Sequence, residues 1–149
     1  RILLKRVRLR VEKNKRLVKL KLYILAFMIF LAIDSLWLGL AAPQFYRSQI
    51  GHLMADLPNF FAAGIFYLIF VFGMVFFVIE PGMNSESMPK TVVRGAIFGF
   101  VTYATYDLTN HATLSGWPIL MTIVDMAWGT TLSAAVTLVS VWAGKRLIK

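Results

Sequence analysis

Thr105-Tyr106-Asp107-Leu108-Thr109-Asn110-His111 lies between two long apolar runs, where a chain this hydrophobic has little reason to carry a charge. Helical spacing orders it. Tyr103, Tyr106, Asp107 and Asn110 fall at i, i+3, i+4 and i+7, one polar stripe. One and two turns below Tyr103 stand Gly99 and Gly95, a small-xxx-small surface on which another helix can approach closely. The segment therefore reads as the polar wall of a helix held inside a membrane, and the rest of the chain reads as what holds it there.

Composition supports that class. Of the 149 residues, 58% are hydrophobic and 15% charged, against roughly 45–50% and about 25% in soluble domains. Four apolar stretches follow in order. The first runs from about Leu22 to Ala42, is interrupted by Asp34 and Ser35, and ends at Pro43. A connection, Gln44 to Leu57, spaces its apolar residues by three and four, which predicts a short helix lying in the interface. The second, Phe60 to Ile79, is dense in phenylalanine, reads as lipid-facing bulk, and stops at Glu80-Pro81-Gly82. The third runs from about Val92 to His111. Gly116-Trp117-Pro118 turns the chain into the fourth, about Ile119 to Ala143, which Gly144-Lys145-Arg146 closes. Each stretch approaches the ~20 residues needed to cross the hydrocarbon. Trp117 and Trp142, at span ends, read as interfacial anchors. The expected fold is all-α, a polytopic four-helix transmembrane bundle.

Ten of the 16 Lys and Arg residues lie between Arg1 and Lys21. A basic block beside a span is explained by membrane orientation and anionic lipid headgroups; no nucleic-acid-binding motif accompanies it. Residues 1–21 form a basic N-terminal segment ahead of a membrane domain at 22–149. Its period-2 stretch Arg6-Val7-Arg8-Leu9-Arg10-Val11 fits a hairpin or a helix along the headgroups, and an arginine at position 1 leaves a foreign origin open. Lys90, Arg94, Lys145, Arg146 and Lys149 share its side of a four-span chain, and only Arg47 lies opposite. Both termini are therefore expected in the cytoplasm.

This topology places Asp34, Asp107 and Asp125 in the outer half of the bilayer. Uncompensated, three such acids would cost roughly 8–10 kcal/mol on insertion scales. Arg94 cannot serve Asp107, being thirteen residues, about 20 Å, down the same helix. Arg47, His52 and His111 are the only basic side chains on the outer side. The candidate site is an outward-facing pocket of Asp34, Trp37, Tyr103, Tyr106, Asp107, Asn110, His111, Asp125 and Trp128. Its proposed tasks are binding or transport of protons, a cation or a small polar molecule, and transport through four helices would call for a homodimer. Two alternatives stand beside it: a lipid-modifying enzyme or helper with an Asp as base beside Tyr106 and His111, and structural glue between helices. The chain lacks cysteine, a Gly-x-Ser-x-Gly elbow, a His-Glu-x-x-His helix and a phosphate-cradling glycine loop, so an enzyme is the weaker expectation and neither cofactor nor metal is expected.

The pairing Asp34-Ser35-Leu36-Trp37-Leu38-Gly39 and Asp125-Met126-Ala127-Trp128-Gly129 occurs twice, as a duplication or by chance. With these segments stand Phe45-Tyr46, Gly51-His52, Tyr106-Asp107-Leu108-Thr109-Asn110 and Gly116-Trp117-Pro118. Together they make the chain, over about Tyr23 to Trp142, resemble the bacterial membrane proteins of domain-of-unknown-function family 2177. The resemblance implies a four-helix inner-membrane protein with no established activity. It also implies gene neighbours that resemble lipid-modifying methyltransferases, which tilts the enzyme and helper readings toward lipid.

Overall fold

The computed structural model describes residues 2–85 and 87–148. Among these residues the chain is helical throughout its regular structure, with no strand. The helices are α1 (Ile2–Leu40), α2 (Ala42–Ile50), α3 (Phe60–Met83), α4 (Met88–Thr113) and α5 (Ile119–Leu147). Three segments are long and apolar enough to cross a membrane: Leu9–Leu40, Phe60–Met83 and Ile119–Leu147.

The basic N-terminal block is no hairpin. It forms the first turns of α1 and runs into the apolar stretch as one 39-residue helix, about 58 Å long at 1.5 Å per residue. No glycine or proline interrupts Ile2 to Leu38. A period-2 pattern with no partner strand leaves its backbone groups unpaired, whereas a helix satisfies them internally. Pro43 lies in the first turn of α2, where its missing N–H is harmless, so it opens the next helix as much as it closes the first.

Two further breaks expected from glycine and proline are absent. α3 passes through Glu80-Pro81-Gly82 to Met83, and the stretch before it, Val75–Ile79, widens to π-helical register. There the Glu80 N–H reaches back to the Val75 carbonyl, which accommodates the N–H that Pro81 lacks. α5 likewise continues past Gly144 to Leu147. Gly82 and Gly144 are sites of close approach: a Cβ on the first would strike Thr91 and Val141, and one on the second Met83 and Leu22.

The apolar core joins α1, α3 and α5, through Leu22, Ala26 and Phe30, through Phe70, Val71 and Met74, and through Leu132, Val136 and Val141. α4 attaches differently. Its most extensive contact is with α5, along a seam of small and polar residues. A Cβ on Gly99 would collide with the Gly129 carbonyl and the Ser133 side chain, one on Gly95 with Thr137, and one on Gly129 with the Tyr103 ring. The hydroxyls of Ser133 and Thr137 are fully buried without a conventional partner. They sit against the two glycines of α4, where Cα–H groups are the available weak donors. The outward side of α4 carries Val93, Ile97, Phe100, Val101 and Leu108, each at least half exposed. Its polar side chains Thr91 and Asp107 point inward, at 4% and 0% exposure. The exposed hydroxyls of Thr105, Thr109 and Thr113 donate to carbonyls one turn back on the same helix, which satisfies them without a packed partner.

Consecutive long helices run in opposite directions, which gives the molecule two chemically distinct ends. At one, Lys19 pairs with Glu80 at 2.7 Å, Lys145 Nζ donates to the Ser85 carbonyl at 2.6 Å, and Leu22 and Met83 meet Gly144. At the other, the later turns of α1 and α4 meet the early turns of α3 and α5, with α2 across them. The acids of interest lie at that second end.

Candidate functional site

Asp34 lies two turns before the end of α1 and is 6% exposed. Its carboxylate accepts from the Tyr67 hydroxyl of α3 at 2.9 Å and from Trp128 Nε1 of α5 at 3.4 Å. Asp125, in the second turn of α5 and equally buried, accepts from the Tyr46 hydroxyl of α2 at 2.5 Å. Tyr46 in turn accepts from Trp37 Nε1 of α1 at 3.1 Å. The two Asp-x-x-Trp segments are thus reciprocal. Because α1 and α5 are antiparallel, each aspartate is level with the other segment's tryptophan. Trp37 and Trp128 stack, centroids 4.7 Å apart and planes at 13°. Burial, then the hydrogen bond to Asp125 and that group's charge, push the Tyr46 phenol well above its ordinary range, so it stays a donor.

Between these groups is a cavity of about 330 Å³. Asp34 and Asp125 line it together with Trp37, Tyr46, Tyr67, Tyr103, Tyr106 and Trp128, with Phe66, Phe70, Leu38, Ala63 and Thr102 completing the wall. α4 packs on the Val75–Ile79 end of α3, while nearer the cavity Ala63, Phe66 and Tyr67 of α3 and Thr102, Tyr103 and Tyr106 of α4 line the open space. Edge-to-face contact of Phe70 with Phe98 and Tyr103 closes the floor. No lysine, arginine or histidine lines the cavity, and among the described residues no ion pair joins either carboxylate to a basic side chain.

Of the nine residues expected to form the site, six line this cavity: Asp34, Trp37, Tyr103, Tyr106, Asp125 and Trp128. Asp107, Asn110 and His111 do not. His111 sits at the last turn of α4, where its Nδ1 donates to the Trp117 carbonyl at 3.2 Å and ties down the α4–α5 turn. Asn110 bonds to Tyr106 on its own helix. Trp117, expected as an interfacial anchor, is buried: it donates to Thr122 Oγ1 at 3.1 Å and meets Tyr106 edge-on. Trp142, by contrast, is half exposed beneath the Arg146 guanidinium, 4.0 Å from its ring centre. His111 therefore faces away from the place a base would be needed. Among the described residues no three His, Asp or Glu side chains gather as metal ligands.

Asp107 is fully buried, has Asp125 as its neighbouring acid, and neither of its oxygens has a donor. Two carboxyl groups can bond only through an acid proton, since a carboxylate accepts and never donates. An amide supplies the same donor. Asp107→Asn is therefore expected to leave thermal stability in detergent within about 1 kcal/mol of the parent, one neutral hydrogen bond. A large loss in a thermal-shift assay would contradict this pairing. Tyr46→Phe has the opposite expectation. It strips the buried Asp125 of its donor and Trp37 Nε1 of its acceptor, and should cost roughly 1–3 kcal/mol in the same assay.

Tyr46 and Tyr67 are the site residues that the sequence reading passed over. Tyr67 had a signal, being the one hydroxyl-bearing ring in the phenylalanine run Phe60 to Phe77. Tyr46 lies on a connecting segment, and nothing local shows that α2 folds back over α5.

No curated protein and no solved structure matches the chain. The family model described as predicted membrane protein (DUF2177) matches residues 19–142, and so reaches back to include Lys19, the partner of Glu80. With most of its length matched and its apolar helices in place, the chain belongs to domain-of-unknown-function family 2177, a family of membrane proteins.

Proposed function

We propose that the protein is a multi-pass protein of the bacterial inner membrane, with four spans and both termini cytoplasmic, that binds a small cation in the cavity between Asp34 and Asp125. The observation that carries this reading is two buried carboxylates lining one cavity with no basic side chain among the described residues to balance them. Their tyrosine and tryptophan donors satisfy lone pairs without cancelling charge. A charge in a low-dielectric site demands a counter-charge, and a cation supplies it.

The fourth span of this reading is α4. Its 26 residues reach about 39 Å, enough to cross the hydrocarbon. Val93, Ile97, Phe100, Val101 and Leu108 are exposed on it, and its acid is buried. The lysine and arginine distribution then puts the Lys19, Glu80 and Lys145 end in the cytoplasm and the cavity on the outer side. Anionic headgroups suit the basic turns of α1 below the membrane.

The chain has no cysteine, so single substitutions report topology cleanly. Ser48→Cys on α2 should react with an impermeant maleimide in intact spheroplasts, and Ser85→Cys only after permeabilisation. The reverse pattern would invert the orientation. Binding itself is tested on the protein in nanodiscs by titrating monovalent cations, inorganic and organic, with calorimetric detection. Saturable binding of one of them supports the reading, and none of them binding overturns it.

A further inference from the structure

We infer that the occupant of the cavity is an organic ammonium ion rather than a bare metal ion. The inference rests on the cation reading above and narrows its chemical class. Three observations carry it.

The first is size. A cavity of about 330 Å³ is at the small end of the roughly 300–1,000 Å³ range of small-molecule sites. It is far larger than the coordination shell of an alkali or alkaline-earth ion. The second is how the carboxylate oxygens are engaged. Both Asp34 oxygens already accept, one from Tyr67 and one from Trp128, and Asp125 accepts from Tyr46 with Asp107 beside it. A hard cation such as calcium needs about six to eight oxygens at coordination distance, and no cluster of three candidate ligands exists among the described residues. Three of the four carboxylate oxygens thus already hold a scaffold donor, and the two groups are placed to supply charge through space. The third is the wall. Eight of the thirteen lining residues are aromatic. Ring faces attract alkylated ammonium groups, which shed water at little cost, while alkali ions keep their hydration.

The inner rings are held in place by packing that the cation does not have to create. Trp37 and Trp128 are stacked, and Phe70 is fixed by Tyr103, Phe98 and Phe30. Phe66 and Tyr106, at 47% and 55% exposure, stand at the side of the cavity. An ammonium with a short substituent can lie with its head between the carboxylates and its tail between these two rings.

The test uses the full chain in nanodiscs, with tetramethylammonium chloride, sodium chloride and potassium chloride as probes at matched ionic strength. Binding is read by calorimetry and by tryptophan fluorescence. Tetramethylammonium is expected to bind at least roughly tenfold tighter than either alkali ion, a difference that desolvated ring contacts can supply. Phe70→Leu removes one ring without touching a carboxylate, and should weaken tetramethylammonium several-fold while leaving the elution profile of the purified protein unchanged. Sodium or potassium binding as tightly as tetramethylammonium would overturn the organic class and leave the cation reading standing. Binding of no probe would overturn both. An undiminished tetramethylammonium affinity in a well-folded Phe70→Leu protein would overturn the role of the aromatic wall.

Discussion

Replacing Asp34 by asparagine is expected to weaken cation binding by roughly tenfold to a hundredfold, about 1.4–2.8 kcal/mol. At an effective dielectric near 20, two unit charges about 4 Å apart attract by about 4 kcal/mol. Part of that is recovered because the site no longer has to hold a second negative charge. The amide keeps the shape and one acceptor, so either the Tyr67 hydroxyl or Trp128 Nε1 loses its partner and some stability goes with it. The calorimetric comparison therefore needs a folded control, for which monodisperse elution and the tryptophan emission of the stacked Trp37–Trp128 pair suffice. Asp125→Asn should behave similarly, since Asp125 lies on the opposite wall and has its own donor in Tyr46. Equal affinity in the parent and both variants would remove the carboxylates from the account.

The second large effect is on folding. Gly99→Leu places a side chain where the Gly129 carbonyl and Ser133 already lie, on the seam by which α4 is held to α5. Overpacking a filled core typically costs about 1–3 kcal/mol, and more where backbone has to move. The atom in the way here is a backbone oxygen, so α4 must separate from α5 and carry the buried Asp107 with it. The expected result is failure to accumulate as a folded protein in the membrane. Gly144→Ala is the milder contrast, because the atoms it meets are the flexible end of Met83 and a leucine methyl. It should lower the melting temperature only slightly. Similar expression and stability for Gly99→Leu and Gly144→Ala would contradict the close α4–α5 contact.

The two changes separate what the sequence makes legible from what it does not. The limits of α3, α4 and α5 are readable to within about four residues because long apolar runs form helices that satisfy their own backbone, whereas α1 starts twenty residues before its apolar run, in the basic block. The Gly95–Gly99 surface is readable because small residues at that spacing permit close approach, and the structure places α5 against it. Proline and glycine were poorer guides. Pro81 is absorbed by a π-helical turn, and Gly144 and Gly82 serve packing where a helix end was expected. These outcomes depend on neighbours that no local window contains.

At the site the same division holds. Asp34 and Asp125 stand out because a carboxylate in an apolar run is costly, and the paired tryptophans because the two segments repeat a pattern. That the repeats face each other in antiparallel and exchange donors is a tertiary fact. Tyr46 closes this circuit from a connecting helix, and it was invisible for that reason. Asp107, next to Tyr106, and His111, one turn further on, fall outside the cavity because helical rotation buries the first and turns the second toward the α4–α5 turn. Within the polar run at 105–111, Tyr106 lines the cavity, Asp107 is buried, His111 fastens the α4–α5 turn, and Thr105 and Thr109 are exposed.

One measurement addresses the central claim, that the cavity selects positive charge. Choline and 3,3-dimethylbutan-1-ol have the same shape and differ in carrying or lacking a charge. Calorimetric titration of the full protein in nanodiscs with each should give choline an affinity at least roughly tenfold higher, about 1.4 kcal/mol, from the carboxylates and ring faces together. Equal affinity for the two, or tighter binding of the neutral alcohol, would show that the site reads shape and apolar surface, and the account of Asp34 and Asp125 as its counter-charges would fail.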